Sequence, residues 1–112
     1  MPTATRSDII TLAASNIGVK AQGQNLSADD ADLIGKAFDS LIDDLRPTGA
    51  VFFDTSAVPE WAQWHLVDML SFMIGPSFGR PMLESSYNRA RSLFISGAHT
   101  SQQKRPARGP YF

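Results

Sequence analysis

The segment Trp61 to Ile74, WAQWHLVDMLSFMI, is apolar on nearly every side of a helix. Trp61, Trp64, Leu66, Met69, Leu70, Phe72 and Met73 do not keep to one stripe but run round the axis. A helix with almost no polar face must be covered from all directions, so it is expected to be the central post of a helical bundle. Pro59 at its first position costs no hydrogen bond, and Gly75-Pro76 stops it. The stretch is too short to span a bilayer and carries His65 and Asp68.

The covering helices are legible on either side. Thr5 with Asp8 three residues on resembles a capping box, and Ile10, Ala13, Ala14 and Ile17 recur at helical spacing. These predict a first helix over Arg6 to Ile17, with Gly18 at the left-handed position beyond its end. Lys20 to Leu26 is a polar loop. Ser27 caps a second helix, and Asp29 and Asp30 suit its positive dipole end. Ile34, Ala37, Phe38, Leu41, Ile42 and Leu45 form its inner stripe, Asp32 can pair with Lys36, and Pro47 stops it near Leu45. In the connector Thr48 to Val58, residues 51–53 (Val-Phe-Phe) predict one very short strand or an apolar clip. A fourth helix is expected from about Pro81 to Ser96, with Leu83, Tyr87, Ala90, Leu93 and Phe94 inward and Gly97 ending it. The predicted class is therefore all-α: a small four-helix bundle over residues 1–97 followed by an extended arm over residues 98–112. A chain of 112 residues is one domain of this kind.

Charge is unevenly placed. Between Asp29 and Asp68 nine acidic residues face only Lys36 and Arg46, whereas from Arg80 onward six basic residues face only Glu84. Copies with an acidic middle and a basic end can attract each other head to tail. There is no cysteine, which excludes disulfides and zinc-thiolate sites. The N-terminus has no apolar signal core, so a soluble, non-secreted protein is expected.

Candidate chemistry is sparse. His65 and Asp68 lie one turn apart, but no nucleophile is specified by spacing, and the pair reads as a surface or interface histidine beside a carboxylate. Asp39, Asp43 and Asp44 sit on a helix without the bent oxygen-rich loop a cation needs, so no metal and no cofactor is expected. Trp61 and Trp64, three apart, read as core and interface anchors before they read as base-stacking or sugar-binding groups. The glycines have no phosphate-loop spacing.

The last eleven residues, Gln102 to Phe112 (QQKRPARGPYF), are not expected to form a further helix, because Pro106, Gly109 and Pro110 forbid a regular one. Terminal aromatics bury area only where something receives them. Lys104, Arg105, Pro106, Arg108, Tyr111 and Phe112 are thus expected to dock into a protein groove, with Arg105 and Arg108 paired to acids and Tyr111 and Phe112 in pockets, the alternative being a short solvated basic tail. Two rival functions stand beside docking. One is a helical DNA-binding module using Arg80, Arg89, Arg91 and the tail; the other is a small hydrolase centred on His65 and Asp68.

The order of features resembles the small head-to-tail connector proteins of tailed bacteriophages, also called adaptor, head-completion or packaged-DNA-stabilisation proteins. The matching residues are Asn16-Ile17-Gly18-Val19 and the loop to Ser27, the acidic helix ADLIGKAFDSLIDDL from Ala31 to Leu45 followed by Gly49, Val58-Pro59-Glu60-Trp61 opening the third helix, Gly75-Pro76 closing it, and KRPARGPYF. The resemblance spans nearly the whole chain. It implies a structural virion protein without catalysis, made in the bacterial cytoplasm and forming a ring, typically of twelve copies, under the portal protein. Such a ring extends the DNA channel, with DNA passing through unread, and is a platform for tail or nozzle proteins. The arm carries over as the portal-docking segment. Asp39 and Asp43 are expected to meet Arg89 or Arg91 of the next copy, with no membrane involved.

Overall fold

The computed structural model describes residues 3–19 and 26–103, without the side chains of residues 102 and 103. The fold is all-α apart from one minimal sheet. In chain order it has β1 (Thr3–Ala4), α1 (Arg6–Asn16), α2 (Ala28–Leu45), β2 (Val58–Pro59), α3 (Glu60–Ile74) and α4 (Glu84–Gln103). The expected docking residues Lys104, Arg105, Pro106, Arg108, Tyr111 and Phe112 lie outside the described residues.

Caps set the first two helices. The Thr5 hydroxyl accepts from the Asp8 N–H at 3.1 Å while the Asp8 carboxylate accepts from the Thr5 N–H at 2.9 Å, a complete capping box. At the other end of α1, the Val19 N–H donates to Ala14 and the Gly18 N–H to Ser15, with Gly18 at φ +79°. Only a residue without Cβ adopts that left-handed turn at low cost. Ser27 caps α2 through the Asp30 N–H at 3.1 Å. Past Leu45 the chain tightens into a 3-10 turn, Arg46–Thr48, which accommodates Pro47.

As expected, α3 is central. It packs against α1, α2 and α4, and Ala62, Leu66, Val67, Met69, Leu70 and Ile74 on it are fully or almost fully buried. Its buried polar groups are satisfied: the Asn16 amide donates to the Ser71 hydroxyl at 2.9 Å, tying α1 to α3, and Gln63 donates to the Val58 carbonyl at 3.3 Å. Burying such groups unpaired would cost about 1–3 kcal/mol each.

Four expectations are corrected. The short strand is not at residues 51–53. Strand pairing joins Thr3 to Pro59 and Ala4 to Val58, antiparallel, while Phe52 and Phe53 instead cluster with Trp61, at 6.0 Å between ring centres in both cases. The apolar clip is satisfied by aromatic packing, so it needs no ladder. Pro59 is accordingly the N-cap of α3 and not its first turn. The fourth helix starts at Glu84, leaving Pro81 to Leu83 outside it, and passes through Gly97 to Gln103. Gly97 is there for proximity: a Cβ would come within 2.9 Å of Trp61 Cε3. Finally, Trp64 is not a core anchor, nor do Leu83 and Leu93 face inward; they are 60%, 73% and 43% exposed.

Candidate functional site

α4 lies along the side of α3 that carries Trp61, His65, Asp68 and Phe72, with Trp61 against Phe94 (5.5 Å) and Phe72 against Tyr87 (5.0 Å). Between those contacts the side chains leave an opening. The opening is a groove of about 350 Å³. From α3 it is lined by Trp64, His65 and Asp68, and these share one face by spacing. From the other wall come Met82, Ser86, Arg89 and Leu93, with Ala90 at the floor. Positions 86, 89, 90 and 93 are the i, i+3, i+4, i+7 pattern of one helical stripe. On an ordinary core-facing helix that stripe would be covered. Here Leu93 is only partly covered and Arg89 is exposed.

The groove is apolar at its rim and charged within. Burial pushes the Asp68 carboxyl above its ordinary range, and the positive fields of His65 and Arg89 pull it partly back. The arrangement is not a catalytic triad. A triad needs the histidine hydrogen-bonded on one side to its carboxylate and on the other to the nucleophile. Among the described residues no hydrogen bond joins His65 to Asp68 or to Ser86. Nor does any group of three or more acidic or histidine side chains among them have the geometry of a metal site.

On α2, the other predicted interface residues are exposed but partly engaged. Arg6 grips Asp39 with two hydrogen bonds of 3.0 Å, from Nε and Nη2, and lies over the Phe38 ring. Arg46 approaches Asp43 at 3.9 Å, and Lys36 pairs with Asp32 at 3.2 Å as expected. Asp29 and Asp44 are exposed with no ion pair among the described residues. Arg89 and Arg91 stand two positions apart on α4, so they point about 200° from one another and form no common basic surface. Arg89 enters the groove, whereas Arg91 is half-buried elsewhere. Thus Asp39 and Asp43 are not brought to Arg89 and Arg91 within one chain. α2 packs on α1 and α3 and makes little contact with α4, leaving the acidic helix and the groove on separate sides of the domain.

The sequence reading missed Met82 and Ser86 as groove residues, and the Arg6 grip on Asp39. The stripe 86-89-90-93 was available as a signal; the Arg6 contact, reaching across 33 positions, had none. Among the described residues no helix is long and apolar enough to cross a membrane. No protein-family model, curated protein or solved structure matches this chain.

Proposed function

We propose that this protein is a structural connector of a tailed phage particle. It forms a ring beneath the portal protein, extends the DNA channel and offers a platform to tail or nozzle proteins. In this reading it carries no catalysis, and residues 104–112 tie each copy to the portal. The observation that carries the proposal is the polarity of the domain. Its acidic outer helix lies on one side of α3, and an open apolar groove holding Arg89 lies on another. Unlike surfaces on separate sides favour head-to-tail contact, which generates a ring when the rotation closes. The capped helix order that resembles the connector family supports the same reading. The DNA-binding alternative loses support from the divergent directions of Arg89 and Arg91, since phosphate tracking needs cations on one face.

The test is localisation. Antibody or an affinity label on the chain should mark the junction between head and tail in particles from producing cells. Labelling of free protein alone, with particles unlabelled, would rule the connector reading out.

A further inference from the structure

Among the described residues five large apolar side chains are exposed: Leu33, Phe52, Trp64, Leu83 and Leu93. Phe52 is accounted for, stacked on Trp61 at 6.0 Å and 16°. Trp64 and Leu93 form the walls of the α3–α4 groove, and Leu83 adjoins its lining residue Met82 in the chain. That leaves Leu33, 43% exposed on the outer face of α2. Asp29 lies one turn before it on the same face, free of any ion pair among the described residues. Arg89 in the groove likewise has no carboxylate within ion-pair distance among those residues. One side of the domain therefore carries an apolar knob beside an unpaired acid. The other carries an apolar-walled slot in which Arg89 makes no ion pair among the described residues, although it shares the slot with the half-buried Asp68.

We infer that the α3–α4 groove is the seat for α2 of a second copy of this chain, with Leu33 inserted between Trp64 and Leu93 and Asp29 paired to Arg89. The match is of an exposed leucine to an apolar-walled groove and of Asp29 to Arg89. It cannot form within one chain, because α2 and α4 flank α3 with little contact between them. It is heterologous: each copy gives a knob on one side and a groove on the other, so the contact repeats until it closes or extends. Asp68 fits this arrangement. A carboxyl already raised by burial is displaced further toward its neutral form when a leucine covers it, which removes a competitor for Arg89. The inference deepens the ring proposal by naming its contact surfaces. It moves the centre of the contact to the first half of α2, away from Asp39 and Asp43.

The chain has no cysteine, so single reporters can be placed cleanly. Full-length Leu33→Cys and Leu93→Cys are made separately, each at a position 43% exposed, and each is checked for an unchanged melt before use. Each alone, and the two mixed, is treated with a short bismaleimide at submillimolar protein. The expected result is a covalent dimer in the mixture well above either single variant, abolished by Arg89→Glu and restored when Asp29→Arg is added on the Leu33→Cys copy. The double variant Leu33→Cys/Leu93→Cys should give a ladder of oligomers. A mixture that cross-links no better than the single variants overturns the inference. So does a Leu33→Cys sample that dimerises by itself as strongly, which means that α2 pairs with α2. Either result leaves localisation at the head–tail junction free to stand, whereas cross-linking without such localisation keeps the contact and removes the connector role.

Discussion

At Gly97 the bundle depends on a missing side chain. The Trp61 ring lies where a Cβ would go, and it cannot retreat freely because Phe52 stacks on it and Phe94 lies 5.5 Å away on the other contact. Gly97→Ala gains about 0.8–1.0 kcal/mol of helix propensity. Overpacking costs about 1–3 kcal/mol. The expected outcome is a net loss on the order of 1 kcal/mol by urea unfolding, set by the difference of those two effects; a stabilised Gly97→Ala would mean that the aromatic cluster is loose. Gly35→Ala contrasts with it. The three atoms nearest its Cβ would all belong to the Arg6 guanidinium, the closest 2.7 Å away at the end of a flexible chain. Displacing Arg6 forfeits an exposed ion pair of about 0–1 kcal/mol against the same propensity gain of about 0.8–1.0 kcal/mol, so that substitution is expected to be neutral or slightly stabilising. Asp68 gives a pH test. Its folded-state pKa is raised, so the ionised carboxylate weighs against the fold as pH rises through that value. Asp68→Asn should leave stability at pH 7 unchanged or higher, and the difference should fade below about pH 4, where the unfolded carboxyl also protonates. A clear loss at pH 7 would show instead that Arg89 holds the carboxylate as a favourable pair. Asp54, by contrast, is held below its usual range by hydrogen bonds from the Ser56 N–H and hydroxyl, so what it contributes is lost on acidification.

Among the elements, those whose limits are written locally were legible and those fixed by distant contacts were not. Thr5, Gly18 and Ser27 act within four residues of their own positions, and α1 and α2 begin and end where such residues place them. The capping box makes a direct prediction: Thr5→Ala should cost about 0.5–2 kcal/mol in denaturant melts. β1 and β2 were invisible, because Thr3-Ala4 and Val58-Pro59 have neither alternation nor length, and they pair only because the chain between them returns α3 alongside α1. α4 was misjudged at both ends. Gly97 reads locally as a stop, yet its role is contact with a ring 36 positions away, and Pro81 reads locally as a first turn, yet Pro81 to Leu83 lie outside the helix. Of the groove, His65, Asp68 and Arg89 were singled out from sequence. That they face one opening was not, since it depends on how α3 and α4 pack between the Trp61 and Phe72 contacts.

At the scale of the whole molecule, the account is of a domain built to be added to others of its kind on a template. Its proposed contacts are charge-edged, and exposed ion pairs contribute only about 0–1 kcal/mol each. Free protein is therefore expected to sediment as a monomer or in weak exchange at micromolar concentration. A partner with many symmetric docking sites raises the local concentration of copies and completes the ring. A closed, salt-resistant ring without any partner would contradict that template dependence. Deleting residues 104–112 should leave the melting temperature nearly unchanged, since every core residue named above precedes them. Binding to the portal-type partner should drop sharply, and unchanged binding would remove the arm from the account. The most direct measurement of the central claim is an image of the native assembly at the junction of head and tail, resolved well enough to place each copy. The account predicts a closed ring about an axial channel, with α2 of every copy seated on the α3–α4 groove of the next. Copies absent from that junction, or present there without closing round a channel, would contradict it.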